Sequence, residues 1–283
     1  KNYDLTIKKF NKSKILIIGD FILDRYTICN AIGKTAKTPT LSVKKLYSEE
    51  FFGGASLFLN NMLSLGAKAE LITLIGNDYG KTFVKSSNKL KKKINVVIDD
   101  KRPTTSKERF MVDGYKLLQL DILENKDTSK KILDKIKKIV TKKIKYFDCV
   151  LFSDSRHGML SKDVIDEITL IAKRNNKKIV VDTQVSNRKG NVEDYTDIDL
   201  ISINDSEARD YLKDWHSNDE VIFFKLCEKL KFDTIIFKLG AKGLMAKNME
   251  KYYKFPALPV NVIDPIGSGD AFLSCSAICN INN

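Results

Sequence analysis

Short apolar runs that end in glycine or an acidic residue, each followed by a helical pattern, recur along this chain and limit its fold more than any other feature. KILIIGD (14–20), AELITLIG (69–76), INVVID (94–99), YFDCVLFS (146–153), KKIVVDT (177–183), IDLISI (198–203) and DTIIFKLG (233–240) read as strands. Between them, helices are predicted at 53–66, entered through Gly53-Gly54 and closed by Gly66, near 80–92, and at 128–143, 161–175, 205–213 and 219–230. Strands with near-continuous apolar character bury both faces, which implies an α/β fold with a mostly parallel sheet and helices on both sides. Segments 104–112 and 115–120, separated by Asp113-Gly114, read as a β-hairpin. No internal repeat or low-complexity linker interrupts the chain, so a single domain over 1–283 is expected, with a small β-lid from about 25–50 and 103–121.

The composition narrows the function classes. With 43% hydrophobic and 30% charged residues among 283, the chain reads as a soluble globular protein. It has no apolar run long enough to span a bilayer, and KNYDLTIKKFNKSK at the N-terminus lacks a signal-peptide core, so a cytoplasmic location and no membrane partner are expected. Five scattered cysteines without a CxxC pair predict buried free thiols rather than disulfides or structural metal. The net charge of +13 is dispersed among Asp and Glu, and the densest lysine run, 130–145, has Ile132, Ile136, Ile139, Val140 and Ile144 at helical spacing. Its lysines are the wet side of an amphipathic helix, so no nucleic-acid partner is expected, while a general attraction for anionic substrates remains.

Parallel sheets bind ligands at the C-terminal ends of their strands. Those ends carry Asp20 and Asp24, Gly76 to Gly80, Ser153-Asp154, Asp182, Asn204, Lys238-Leu239-Gly240 and the stretch VIDPIGSGDAFL (262–273). GNDYGKT (76–82) nearly spells a P-loop but is one residue short, which favours a strand-to-helix turn with Lys81 in solvent. Gly53-Gly54 fits either close helix packing or close approach of a ligand. In DPIGSGD, Gly267, Ser268 and Gly269 fit either a capped turn or an anion nest at a helix N-terminus, the device phosphoryl transfer needs. Asp270 would then accept a proton from, or orient, an attacking hydroxyl, and the helix N-terminus is expected to depress its pKa. Asn204-Asp-Ser-Glu207 is a capping-box pattern; the alternative is that both residues hold water or Mg²⁺ beside phosphates.

The order of these signals resembles the ribokinase-like (PfkB-type) carbohydrate kinases over nearly the whole chain: GD-x(3)-D after the first strand, GG opening a helix, G-x-D-x-x-G, N-x-x-E and D-x-x-G-x-G-D. GDFILDRY (19–26), FGGASLFLNNMLSLGA (52–67), RPTTSKERF (102–110), LLQLD (117–121) and SDSRHGML (153–160) are similar to the heptose-7-phosphate kinases of that family. The resemblance implies a ribokinase-like fold and ATP-dependent transfer of a phosphate to a sugar or sugar-phosphate hydroxyl, with Mg²⁺. It makes Asp270 the base and Gly267, Ser268 and Gly269 the anion hole. Asn204 and Glu207 would organise Mg²⁺ through water, and Lys238, Gly240, Asp264 and Gln184 would border the nucleotide. Asp24, Gly53, Gly54 and Asp154 would hold the sugar, with Arg102, Lys107 and Arg109 suited to its phosphate.

The departures fall on polar contacts. Leu57 stands where the family has Asn, His157 where the heptose kinases have Lys, and Asp182-Thr-Gln184 where they have Asp-Pro-Lys. His157 reads equally as a surface residue or a ligand contact. Only thirteen residues follow Asp270, whereas family members continue through further helices, and the chain begins at Lys. A fragment of a longer, bifunctional protein is expected, and the family analogy suggests a homodimer through the β-lid. The competing function is a non-catalytic sugar- or nucleotide-binding domain that regulates a fused partner.

Overall fold

The computed structural model describes residues 3–184, 192–262 and 267–282. After a short helix α1 (Tyr3–Lys8), strand β1 (Lys14–Gly19) passes through Asp20 into β2 (Phe21–Lys34) and β3 (Leu41–Gly54), which pair antiparallel as a long ribbon. Helix α2 (Ala55–Ser64), β4 (Lys68–Ile75), α3 (Tyr79–Ser86) and β5 (Ile94–Ile98) follow, then the hairpin of β6 (Ser106–Val112) and β7 (Tyr115–Ile122). The chain next alternates α4 (Lys130–Lys143), β8 (Cys149–Asp154), α5 (Lys162–Arg174), β9 (Lys178–Thr183), β10 (Leu200–Asn204), α6 (Asp205–Leu212) and α7 (Asp219–Leu230). Strands β11 (Thr234–Lys238), β12 (Leu244–Asn248) and β13 (Lys251–Phe255) precede the last helix, α8 (Ser268–Ile281).

Among the described residues, one sheet runs β13-β12-β11-β10-β9-β8-β1-β4-β5, parallel except for the β11-β12-β13 edge. Side chains alternate across it, as strand geometry requires. Ile15 and Ile17 pack in one cluster with Phe58, Leu59, Leu273 and Ala277 of α2 and α8. Leu16 and Ile18 pack in the other with residues of α4 to α7 such as Ile136, Ile168, Ala208 and Phe223. This two-sided burial is why β1 shows an uninterrupted apolar run. In α4, Ile132, Ile136 and Val140 are buried, so its lysines lie on the wet side as the spacing predicts.

A second sheet, β3-β2-β6-β7, is built from 21–54 and 106–122. Asp113 and Gly114 adopt φ of 48° and 84°, the left-handed geometry that tight hairpin turns demand. Three local expectations need correction. Helix α3 stops at Ser86 rather than near 92, because Ser87 is extended and its hydroxyl receives the Leu90 N–H. The hairpin over 244–255 was not expected, since every residue of β13 is exposed and no apolar alternation marks it. Cys29, Cys149 and Cys227 are buried thiols, but Cys275 and Cys279 are only partly buried. No described helix is long and apolar enough to cross a membrane.

Candidate active site

The first strand leaves Asp20 at its C-terminal end, and the chain turns there into β2, which carries Asp24. Gly53 and Gly54 lie opposite, at the end of β3, paired with Ile22 and Phe21. A Cβ on Gly53 would run into the Asp24 carboxylate, and one on Gly54 would run into the Asp20 carbonyl oxygen. Gly54 also has a φ of 58°, so glycine is required where the end of β3 passes close against Asp24 and the Asp20 carbonyl. Asp24 is held by Arg109, whose Nη1 donates to it at 2.6 Å while the guanidinium lies 5.1 Å from the Tyr26 ring centroid. Lys107 sits beside Asp24 in the β2–β6 register.

The N-terminal end of α8 carries the other half of the candidate site. Gly267, with φ of 78°, precedes the helix, and Ser268, Gly269 and Asp270 form its first turn. A Cβ on Gly269 would stand 3.2 Å from the Lys238 Nζ, so the ammonium group at the end of β11 lies over this turn. Asp270 was expected to be acidified by the helix N-terminus, and the structure reverses this. Burial, followed by the nearby Asp182, Glu207 and Asp24, pushes its carboxyl up to about 7, with Lys238 acting in opposition. Desolvation outweighs the helix dipole here, because even in a partly buried geometry the dipole contributes at most about 2 kcal/mol, whereas burial can shift a carboxyl by several pKa units.

Asn204 and Glu207 make the capping box of α6: the Glu207 N–H donates to Asn204 Oδ1 and the Asn204 N–H to Glu207 Oε2, each at 2.9 Å. The cap reading does not displace the functional one. Burial, then Asp182, pushes Glu207 up to about 7, against the Asn204 N–H and Lys238. Asp182, at the end of β9, is raised by burial and by Asp154 and pulled back by Lys238. Asp182 and Asp20 are the residues sequence reasoning underused; both were visible only as strand-end aspartates. Among the described residues no three His, Cys, Asp or Glu side chains could enclose a metal by themselves. Asp182, Glu207 and Asp270, each raised chiefly by burial and each opposed by Lys238, are nevertheless carboxyls of the chemistry that suits a hydrated divalent cation.

Several predicted residues are placed differently. The Arg102 side chain is 7% exposed; its Nε pairs with Asp99 at 3.2 Å and its Nη2 donates to the Lys126 carbonyl at 3.0 Å, so it braces a loop rather than reaching for a phosphate. Asp154 is fully buried, receiving the Tyr195 hydroxyl at 2.8 Å and Arg156 Nη1 at 3.2 Å, and it organises the interior instead of opening toward a sugar. His157 is buried, not a surface residue. Gln184 is exposed, and its backbone does the holding: its N–H donates to the Asp154 carbonyl and its carbonyl receives Arg156 Nε. Gly240, with φ of 57°, turns the chain after β11 in open space. Leu57 is partly buried in the first turn of α2, and Asp264 lies outside the described residues. The GNDYGKT segment is a strand-to-helix turn in which Asp78 caps α3 through Gly80 and also receives the Thr104 N–H.

Solved structures share this architecture. Phosphofructokinase-2 from Escherichia coli in its tetrameric inhibited form aligns with a TM-score of 0.71 at 15% identity, over 93% of this chain and 85% of that one. The same enzyme in complex with fructose-6-phosphate aligns with a TM-score of 0.68 at 14% identity, over 93% and 84%. The fold is therefore ribokinase-like α/β. Among curated proteins, the bifunctional protein HldE of a Nitratiruptor species is 28% identical over 93% of this chain and 56% of its own length. HldE of Campylobacter jejuni subsp. doylei is 30% identical over 96% and 57%, and that of Haemophilus influenzae (strain PittEE) 30% over 95% and 56%. The chain thus spans a little over half the length of these relatives. The profile of the pfkB family carbohydrate kinases matches residues 12–277, and the chain belongs to that family.

Proposed function

We propose that the chain is a sugar-phosphate kinase of heptose-7-phosphate type, transferring the γ-phosphate of ATP to an acceptor hydroxyl. The observation that carries this reading is Asp270, half-buried at the start of α8, poised near pH 7 and adjoining the Gly267–Gly269 turn under Lys238. A carboxyl with that pKa is an effective general base at neutral pH, and it takes the acceptor proton as the oxygen attacks phosphorus. The N–H groups at the start of α8 and the Lys238 ammonium meet the charge on the transferred group. Asn204 and Glu207 would hold Mg²⁺ through water, and the ion when bound neutralises phosphate charge. Asp24, positioned by Arg109 over Gly53, would bind acceptor hydroxyls, with Arg109 and Lys107 near the substrate phosphate. The relatives' shared name and their bifunctional character support a heptose phosphate as acceptor and a second, fused activity.

The second sheet would close over the acceptor as a lid on a single kinase domain. Its outer strand β7 exposes Tyr115, Leu117, Leu118, Leu120 and Ile122, a surface that supports pairing with a second copy in the cytoplasm. The deciding experiment is a Mg-ATP turnover screen against heptose, hexose and pentose phosphates. Turnover with a heptose 7-phosphate is expected, and Asp270→Asn should lower kcat about 100- to 10,000-fold with ADP affinity retained. Tight ADP binding with no turnover on any acceptor would instead favour a regulatory binding domain.

A further inference from the structure

Asp20 has no hydrogen bond to the Gly267–Gly269 turn or to Asp24 among the described residues, yet it ties the Gly53–Gly54 turn beside Asp24 to the loop that follows β8. Its carbonyl oxygen receives the Ala55 N–H at 2.9 Å, fixing the start of α2 just after Gly53 and Gly54. Its side chain faces the other way. Oδ2 receives the N–H groups of Ser155 at 3.2 Å and His157 at 3.3 Å, and Oδ1 that of Met159 at 3.3 Å. The loop after β8 is thus wrapped around one carboxylate. That loop is buried at Ser155, Arg156 and His157, so its backbone donors need partners inside the protein. It also holds a non-glycine residue in the left-handed region, Arg156 at φ 60°, and Gly158 at φ 86° against the Lys126 carbonyl. A loop this constrained keeps its shape only when its surroundings over-determine it.

We infer that Asp20 is a positioning residue for the acceptor side of the reaction: one side chain sets the loop 155–159, and one carbonyl sets the Gly53–Gly54 turn. The inference rests on the kinase reading for its acceptor, but the hold on the loop stands on geometry alone. The donor-side groups, Gly267 to Asp270, Lys238 and Glu207, come from other elements and are bound to Asp20 by no hydrogen bond among the described residues. Asp20→Asn keeps the carbonyl contact and the side-chain volume but replaces one acceptor oxygen by a donor, which faces an N–H it cannot satisfy.

The test measures both sides in Asp20→Asn. The KM for D-glycero-D-manno-heptose 7-phosphate should rise about tenfold or more, while the KM for ATP and the affinity for ADP move less than about threefold. Amide hydrogen exchange at Ser155, His157 and Met159 should quicken by a similar factor, with α8 unchanged. Gly158→Ala loosens the same loop from its other side and should reproduce the acceptor-side KM defect; it serves where Asp20→Asn does not fold. Equal losses for acceptor and nucleotide, or unchanged exchange at the three amides, overturn the assignment. If the unaltered chain phosphorylates no heptose phosphate, the kinase reading falls instead, and the exchange measurement still decides whether Asp20 holds the loop.

Discussion

Asp270 shows how far residue type and neighbourhood differ as sources of information. DPIGSGD made it a candidate base, and local reasoning from the helix N-terminus predicted a weak one. Its carboxyl is pushed up to about 7 first by burial and then by Asp182, Glu207 and Asp24, which arrive from separate strands and helices. No spacing in the sequence encodes that convergence. The consequence is measurable. A base must be deprotonated to act, so kcat/KM for the acceptor should climb with pH and level off above about 7, and Lys238→Met should move the rise to higher pH because the ammonium group holds the carboxyl down. A profile flat from pH 5 to 8 would contradict a base of this kind. Arg102 gives the opposite lesson: its residue type suited a phosphate, and Asp99 with the Lys126 carbonyl had already taken it.

Elements were the most legible level, because burial on both faces of a strand writes itself into consecutive apolar residues such as Ile15 to Ile18. The β12–β13 hairpin escaped notice for the same reason: an edge strand with every side chain exposed carries no such signature. At the start of α6 one pattern makes the helix cap and also fits the proposed Mg²⁺ site, and the two readings can be pulled apart. Asn204→Ala removes the cap acceptor and should cost about 1 kcal/mol of stability by denaturant unfolding. Glu207→Gln keeps an oxygen for the Asn204 N–H but discharges the group, so it should leave stability unchanged or slightly higher while lowering phosphoryl transfer about 10- to 100-fold. If the two substitutions behave alike, Glu207 is a cap and nothing more.

At the scale of the whole molecule, the unusual feature is where negative charge is buried in a chain of net charge +13. Asp20, Glu207 and Asp270 all stand near 7, raised chiefly by burial. Unfolded, these carboxyls would titrate near 4, so between pH 8 and 5 the folded protein takes up protons that the unfolded chain does not. Stability of the ligand-free protein should therefore rise as pH falls through 7, reaching a maximum near pH 5 in a thermal-unfolding series. Groups shifted the other way, such as Asp214 held down by Lys225 and Ser217, lose their contribution only below about pH 4 and do not offset the trend in this window. A melting temperature that falls steadily from pH 8 to 5 would refute it.

The antiparallel ribbon of β2 and β3 gives the molecule a lever. Each strand has 14 residues, about 45 Å when extended, with Asp24 and Gly53 at the root and the exposed turn around Lys37 at the tip. A tilt of about 10° at the root would sweep the tip through about 8 Å. A change in how a small molecule seats against Asp24, too slight to notice where it occurs, would be magnified at the far end of the arm.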